Sequence, residues 1–277
     1  MNIEKIKITK MNGSGNDFII INNMDKRISA EEFRKYVPLI CRRKLSVGAD
    51  GVIIIEPSTK CDFKWRFFNS DGSEAEMCGN GSRCAAKFAY LEGISGRKLK
   101  FETLAGIIEA EVKDETVKVL ITKPYDIKLD YEIVIEDRKY FISSINTGVP
   151  HVVKFVKELE NYDVKKMGKL IRNHQIFQPN GTNVNFVTCE GKNTLKIRTY
   201  ERGVEDETLS CGTGSVASAL ISYLKGFVNK PVYVKNMGGE TLIIDFIEEN
   251  GEFKKVYLEG DARLVFKGNL CYDSIKP

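Results

Sequence analysis

The chain repeats itself. Cys78-Gly79-Asn80-Gly81-Ser82-Arg83-Cys84-Ala85-Ala86 runs on to Tyr90-Leu91-Glu92-Gly93, and Cys211-Gly212-Thr213-Gly214-Ser215-Val216-Ala217-Ser218-Ala219 runs on to Tyr223-Leu224-Lys225-Gly226, an offset of 211 − 78 = 133. At that offset Ser14-Gly15-Asn16-Asp17-Phe18 matches Thr147-Gly148-Val149-Pro150-His151, Gly48-Ala49-Asp50 matches Gly181-Thr182-Asn183, and Leu104-Ala105-Gly106 matches Met237-Gly238-Gly239. One stretch slips by a residue, Lys64-Trp65-Arg66 answering to Lys196-Ile197-Arg198. A period of domain size means two similar domains rather than a solenoid. Related domains of one chain commonly pack about a pseudo-two-fold axis, which sets equivalent residues opposite each other in an interdomain cleft.

The local signals fill in those domains. Short runs rich in Val, Ile and aromatic residues, from 18–22 through 255–260, read as strands. Helices are fewer. One is predicted over 30–41, opened by Ser29 as N-cap with Glu31 and Glu32 in its first turn, and a second over 162–172. The other two follow the cysteines, over 81–91 and 214–224, with Gly93 and Gly226 as natural stops. Small residues along both suit a helix enclosed by sheet. The expected architecture is mixed α/β (α+β), two pseudo-symmetric domains, each a sheet around one mostly buried helix, with a boundary near Lys123-Pro124.

Composition narrows the function classes. Hydrophobic residues make up 42% and charged residues 29% of 277, and the formal net charge is +4 with no long basic run, so no nucleic-acid partner is expected. No stretch reaches the ~20 apolar residues of a membrane span, and 1–10 alternates like a strand rather than a leader, so no membrane association and a cytoplasmic setting are expected. Seven cysteines, an odd number without any CxxC pair, argue against a disulfide framework; with two histidines, His151 and His174, no metal site is expected. Cys41, Cys61, Cys84, Cys189 and Cys271 read as small core residues.

Cys78 and Cys211 read differently. A cysteine at a helix N-terminus meets unpaired amides and the positive end of the helix dipole, which lower its pKa. The Gly-Asn-Gly and Gly-Thr-Gly that follow let amides approach a carboxylate and stabilise an enolate-like charge. A thiolate base on one side and a thiol acid on the other suit a reaction that removes a proton from one face of a carbon and returns one to the opposite face. Alone, such a motif would equally suit a tight turn with an inert thiol; a phosphate cradle lacks its P-loop lysine.

These residues resemble a known family. Gly13-Ser14-Gly15-Asn16-Asp17-Phe18, Asn69 with Asp71-Gly72-Ser73, Met77-Cys78-Gly79-Asn80-Gly81, Pro150-His151, Tyr200-Glu201-Arg202-Gly203, Glu207-Thr208 and Cys211-Gly212-Thr213-Gly214 are similar, in order and over nearly the full length, to the diaminopimelate epimerases. The resemblance implies a pyridoxal-independent isomerase, with no cofactor, that interconverts LL- and meso-2,6-diaminopimelate in lysine and peptidoglycan biosynthesis. It implies a homodimer, a small amino-acid substrate, and the family's fold, a mostly antiparallel sheet or barrel around a central helix in each domain. Residues 1–122 plus 266–277 would carry Cys78, and 123–265 would carry Cys211. The two cysteines would be the catalytic pair. Gly79, Asn80, Gly212 and Thr213 would bind the reacting carboxylate, Asn16, Asn69, Asn183, Glu201 and Arg202 the rest of the substrate, and His151 and Glu201 would tune the thiols.

The residues leave other readings open. Asn16 and Asn69 also suit turns, Glu201 and Arg202 a solvated ion pair, and His151 a structural histidine. Val149 stands where many members have Asn, Gly51 where some have Gln, and Glu205-Asp206 lengthens the stretch from Gly203 to Cys211. A racemase of histidine or proline would keep both thiols, although Glu201 and Arg202 fit proline poorly. A non-catalytic ligand-binding protein would use them as a thiol/disulfide switch.

Overall fold

A computed structural model describes residues 3–276. Met1, Asn2 and Pro277, which the sequence reading gave to the first domain, lie outside the described residues. Two compact units divide the chain, Met1–Val119 with Gly260–Pro277, and Leu120–Glu259.

Unit 1 contains β1 (Lys7–Gly13), β2 (Asn16–Asn22), the short helices α1 (Ala30–Phe33) and α2 (Val37–Ile40), β3 (Gly51–Glu56), β4 (Phe63–Asn69), α3 (Gly79–Leu91), β5 (Lys98–Thr103), β6 (Gly106–Val112) and β7 (Thr116–Ile121), together with the late strand β17 (Arg263–Asn269). Neighbouring strands in the order β17-β1-β2-β3-β4-β5-β6-β7 pair antiparallel, antiparallel, parallel, antiparallel, parallel, antiparallel and antiparallel. Phe18–Ile21 and Val52–Ile55 are buried without a break, as strands covered on both faces must be. Ile19, Ile21, Val52, Ile54 and Phe68 pack with Phe33, Val37 and Ile40 of the α1–α2 segment, while α3 lies against β1, β2, β3 and β6. Each such buried Ile or Phe contributes about 1.5–3 kcal/mol.

Unit 2 contains β8 (Tyr125–Ile135), β9 (Arg138–Asn146), β10 (Pro150–Phe155), α4 (Val164–Arg172), β11 (Asn183–Cys189), β12 (Thr194–Glu201), β13 (Asp206–Thr208), α5 (Gly212–Leu224), β14 (Val232–Lys235), β15 (Thr241–Glu249) and β16 (Glu252–Asp261). Along β8-β9-β10-β11-β12-β14-β15-β16 the pairings run in the same order of senses as in unit 1. Helix α5 lies against β9–β12, β14 and β15, and α4 covers a second core of Val152, Val184, Phe186 and Tyr200. The repeat is therefore a shared order and sense of strands, with one buried helix per unit.

Both buried helices begin two residues before their predicted starts and end where predicted; Gly93 and Gly226 follow each in the left-handed conformation, φ +69° in both. The helix expected over 30–41 is broken into α1, a 3-10 turn over Arg34–Tyr36 and α2, with Pro38 in the first turn of α2. Strand β17 escaped the sequence reading because all seven of its residues are exposed or nearly so, leaving no inward–outward alternation to detect. Two of the five cysteines read as core are not: Cys41 and Cys84 are buried and Cys61 intermediate, but Cys189, the last residue of β11, and Cys271, which precedes the 3-10 turn Tyr272–Ile275, are exposed.

Candidate functional site

Cys78 and Cys211 are the N-cap residues of α3 and α5, both in extended conformation, with φ/ψ of −146°/119° and −125°/106°. An N-cap lies beside the helix's unpaired amides. Cys78 Sγ accepts from Gly81 N at 3.4 Å, and Cys211 Sγ lies 3.7 Å from Thr213 Oγ1. All seven cysteines are free thiols.

The thiol pKa values run opposite to the sequence expectation. Burial pushes Cys78 above the ordinary 9.0, against the opposing pull of the Gly81 and Asn80 amides and of Arg83. Burial raises Cys211 as well, the Glu201 carboxylate raises it further, and the Gly214 amide and Thr213 hydroxyl offset only part. Desolvation of a thiolate outweighs what one helix end returns.

In unit 1 a chain of side chains ties the first turn of α3 to the loops around it. Arg83, fully buried, donates from Nη2 to Asn80 Oδ1 at 2.9 Å and to Ser14 Oγ at 2.6 Å, and from Nε to Asp261 O at 3.1 Å. Asn80 Nδ2 donates to Asn16 Oδ1 at 2.7 Å, and Asn16 Nδ2 to Asp50 Oδ2 at 3.0 Å. A guanidinium only donates and a carboxylate only accepts, so both amides are oriented by the ends of the relay. Each amide keeps a second N–H beyond these bonds. Asp50 is itself clamped by Arg43 at 2.8 Å, and Arg43 also holds Asp17 at 2.6 Å. Burial pushes the Asp17 carboxyl up, but Arg43 and Lys10 outweigh it and leave Asp17 below its usual value. The sequence reading named neither Arg83 nor Asp50 among the site residues; for Arg83 the available signal was a charge among the small residues of the first turns of α3. Asn69 lies apart from this relay and bonds within its own turn, Nδ2 to Ser73 Oγ at 3.0 Å. Gly51 has no room for a side chain: a Cβ would sit 2.5 Å from Phe68 O and 2.6 Å from the Phe67 ring.

In unit 2, Glu201 Oε1 accepts from Thr208 Oγ1 at 3.0 Å and stands beside Cys211. Asn183 Oδ1 accepts from Arg202 N at 2.9 Å, and Arg202 Nη1 donates to Asn180 O at 3.0 Å. Thr147 Oγ1 donates to Thr213 O at 3.1 Å, fixing the turn before β10, with its Val149, onto the first turn of α5. His151 is buried, its Nδ1 3.2 Å from Asn185 Nδ2. Unit 1 thus gathers Asn16, Gly79 and Asn80 near Cys78, and unit 2 gathers Glu201, Gly212 and Thr213 near Cys211. Among the described residues no group of three or more His, Cys, Asp or Glu side chains is placed to hold a metal ion, and no helix is long and apolar enough to cross a membrane.

Solved structures with this fold include a probable proline racemase from Agrobacterium radiobacter K84 (TM-score 0.69, 15% identity, 99% of this chain and 95% of that one) and a PhzF-family phenazine biosynthesis protein from Bacillus anthracis (0.70, 18%, 96% and 99%). At such identities the likeness shows the fold alone, a two-unit mixed α/β fold. Sequence carries the assignment further. Residues 8–126 and 143–265 match the family described as diaminopimelate epimerase. The chain is 49% identical over 280 residues to the diaminopimelate epimerase of Aquifex aeolicus (96% of this chain, 98% of the relative) and 45% identical over 285 residues to that of Archaeoglobus fulgidus (98% and 99%). The chain belongs to the diaminopimelate epimerase family.

Proposed function

We propose that the protein interconverts LL- and meso-2,6-diaminopimelate by a two-base mechanism in which Cys78 and Cys211 act on opposite faces of one α-carbon. The observation that carries this reading is the duplicated N-cap thiol, one in each unit, each followed by a first turn with little side-chain bulk. One thiolate takes the α-proton and becomes a thiol; the electron pair left behind is delocalised into the substrate carboxylate, held by the amides of Gly79, Asn80, Gly212 and Thr213. The opposite thiol gives its proton to the other face and becomes the thiolate. Nothing is gained or lost but the configuration, so neither cofactor nor metal is called for.

The remaining N–H donors of Asn16 and Asn80 suit a carboxylate. Asn183, with Arg202 attached to it, and Asn69 suit the polar groups at the far end of the substrate, and Glu201 suits an ammonium or holds the Cys211 proton. Leu264, Val265 and Phe266, 41%, 57% and 44% exposed on one strand, support a homodimer, which light scattering would test. A biosynthetic role and the lack of a long apolar helix among the described residues support a cytoplasmic setting.

Cys78→Ser and Cys211→Ser test the mechanism. Each should keep its circular dichroism and lose most turnover of diaminopimelate. The wild type should exchange its α-hydrogen in D₂O with LL-diaminopimelate but not with histidine or proline, and should stay active in chelator. A fully active single variant, or exchange confined to another amino acid, would refute the proposal.

A further inference from the structure

The two units share a framework but differ at one buried trio. In unit 1 Phe18 pairs with Gly51 and Ile53 with Phe67; in unit 2 His151 pairs with Asn183 and Asn185 with Thr199. A Cβ on Gly81 would meet Ile53 Cδ1 at 3.3 Å, and one on Gly214 would collide with Asn185 Oδ1. Phe18, Ile53 and Phe67 therefore occupy the places that His151, Asn185 and Thr199 occupy, and Gly51 rather than Asp50 is the counterpart of Asn183, a one-residue correction to the sequence match. All six are 0–4% exposed. Hydrocarbon fills these places in one unit, with Phe18 and Phe67 edge to face at 5.8 Å, so the fold itself does not ask for polar groups there. Burying three of them costs free energy unless each is bonded.

The bonding in unit 2 has one consistent polarity. Thr199 Oγ1 donates to Asn185 Oδ1 at 3.0 Å, and Asn185 Nδ2 donates to Val152 O at 2.9 Å. A backbone carbonyl only accepts, which fixes the amide: the nitrogen faces Val152 and His151. The second hydrogen on Nδ2 then points to His151 Nδ1 at 3.2 Å. That ring nitrogen must present its lone pair, and the proton sits on Nε2, which is buried with no hydrogen-bond partner among the described residues. Burial, helped by the Arg202 charge, lowers the ring's pKa to about 3. Asp126 and Lys128 line a cavity of about 190 Å³ that His151 also lines.

We infer that Asn185 is a positioning residue that fixes His151 as a neutral Nε2–H donor, reserved for a carboxylate oxygen of the ligand. This deepens the epimerase reading and rests on it only for the identity of the ligand. A neutral donor stabilises an anion without adding a charge that titrates with pH. Asn185, which a Cβ on Gly214 would strike, ties His151 to the first turn of α5, where Cys211 Sγ also lies 3.2 Å from that Cβ position.

Nitrogen-15 NMR of the imidazoles tests this directly, since the chain has two histidines and His174→Gln assigns the signals by difference. The wild type should show a protonated Nε2 and a bare Nδ1 on His151, with no titration from about pH 5 to about pH 9. Adding meso-diaminopimelate should shift the Nε2–H signal; a shift that comes with rising pH and no ligand would place a thiolate there and overturn the ligand assignment. Asn185→Asp should accept a proton from Nδ1, bring the ring's titration into the neutral range and add a limb to the pH profile of kcat. Asn185→Leu should lose the single tautomer and lower kcat by at least about tenfold, the scale of one hydrogen bond to a charged group. His151→Gln, which keeps a neutral N–H, should retain more activity than His151→Leu. An Nδ1–H tautomer in the wild type, an unchanged ring in folded Asn185→Leu, or equal loss in the two His151 variants would overturn the inference. The tautomer spectra need no turnover, so they stand or fall separately from the choice of substrate.

Discussion

Asn80 donates from Nδ2 to Asn16 Oδ1 at 2.7 Å, joining the first turn of α3 to the start of β2. The two amides have a defined direction only because Arg83 stands at one end and Asp50 at the other. Asp50→Asn replaces the acceptor-only end with a group that can donate, so Asn16 becomes free to turn its oxygen toward an incoming carboxylate. KM should rise about tenfold, with kcat changed less, as for one lost bond to a charged group. Steady-state kinetics decide this, and an unchanged KM in a folded variant would count against the relay.

Gly81 and Gly214 are equivalent by sequence but not by surroundings. A Cβ at Gly81 has its nearest neighbour at 3.3 Å, whereas at Gly214 it would run into Asn185. Replacing glycine within a helix gains roughly 0.5–1 kcal/mol. Gly81→Ala should therefore be close to neutral in denaturant unfolding, and Gly214→Ala should lose about 1–3 kcal/mol by overpacking. Equal effects would mean that the two first turns are not packed differently.

Both candidate catalytic thiols are held above the ordinary value of 9.0 by burial. In the resting enzyme thiol should therefore outweigh thiolate at neutral pH, and the state with one thiolate that starts the proposed exchange should be a minor population. Peptide mapping after iodoacetamide treatment should give alkylation of Cys78 and Cys211 that rises with pH through a midpoint above 9.0. A midpoint near neutrality for either would restore the lowered-pKa expectation.

His151 links stability to pH in the acid range. Its folded value of about 3 lies below the ordinary 6.5, so the unfolded chain takes up the proton first. The stability this contributes is complete above pH 6.5 and is lost as pH falls from 6.5 to about 3. His151→Phe, which copies Phe18 of unit 1, should remove this share. Across that window the wild type should lose stability faster than the variant, by about 1.4 kcal/mol per pH unit for one additional proton. Urea unfolding at about pH 7 and about pH 4 measures the difference, and parallel slopes would show that His151 is protonated in the folded state.

Much of this architecture was legible. The offset between Cys78 and Cys211 announced two units, and the small residues after each cysteine announced an enclosed helix. What stayed hidden depended on pairing in space. Asn185 sits in Asn183-Val184-Asn185-Phe186, which reads as an ordinary strand; only the register against Thr199 and His151 gives it partners. Arg83 stands inside the first cysteine motif, yet nothing local says that Asn80, Ser14 and Asp261 converge on it. The thiol pKa values went the other way for a similar reason. Helix ends are visible in sequence, and the desolvation that outweighs them is not.

Strand β1 is bonded on one flank to its immediate successor β2 and on the other to β17. During synthesis the first unit must therefore wait, with one flank of β1 unsatisfied, while the ribosome makes the whole of the second. A nonsense codon shortly before residue 263 would leave that flank bare in every molecule produced, an invitation to foreign strands that a chaperone or protease would have to answer.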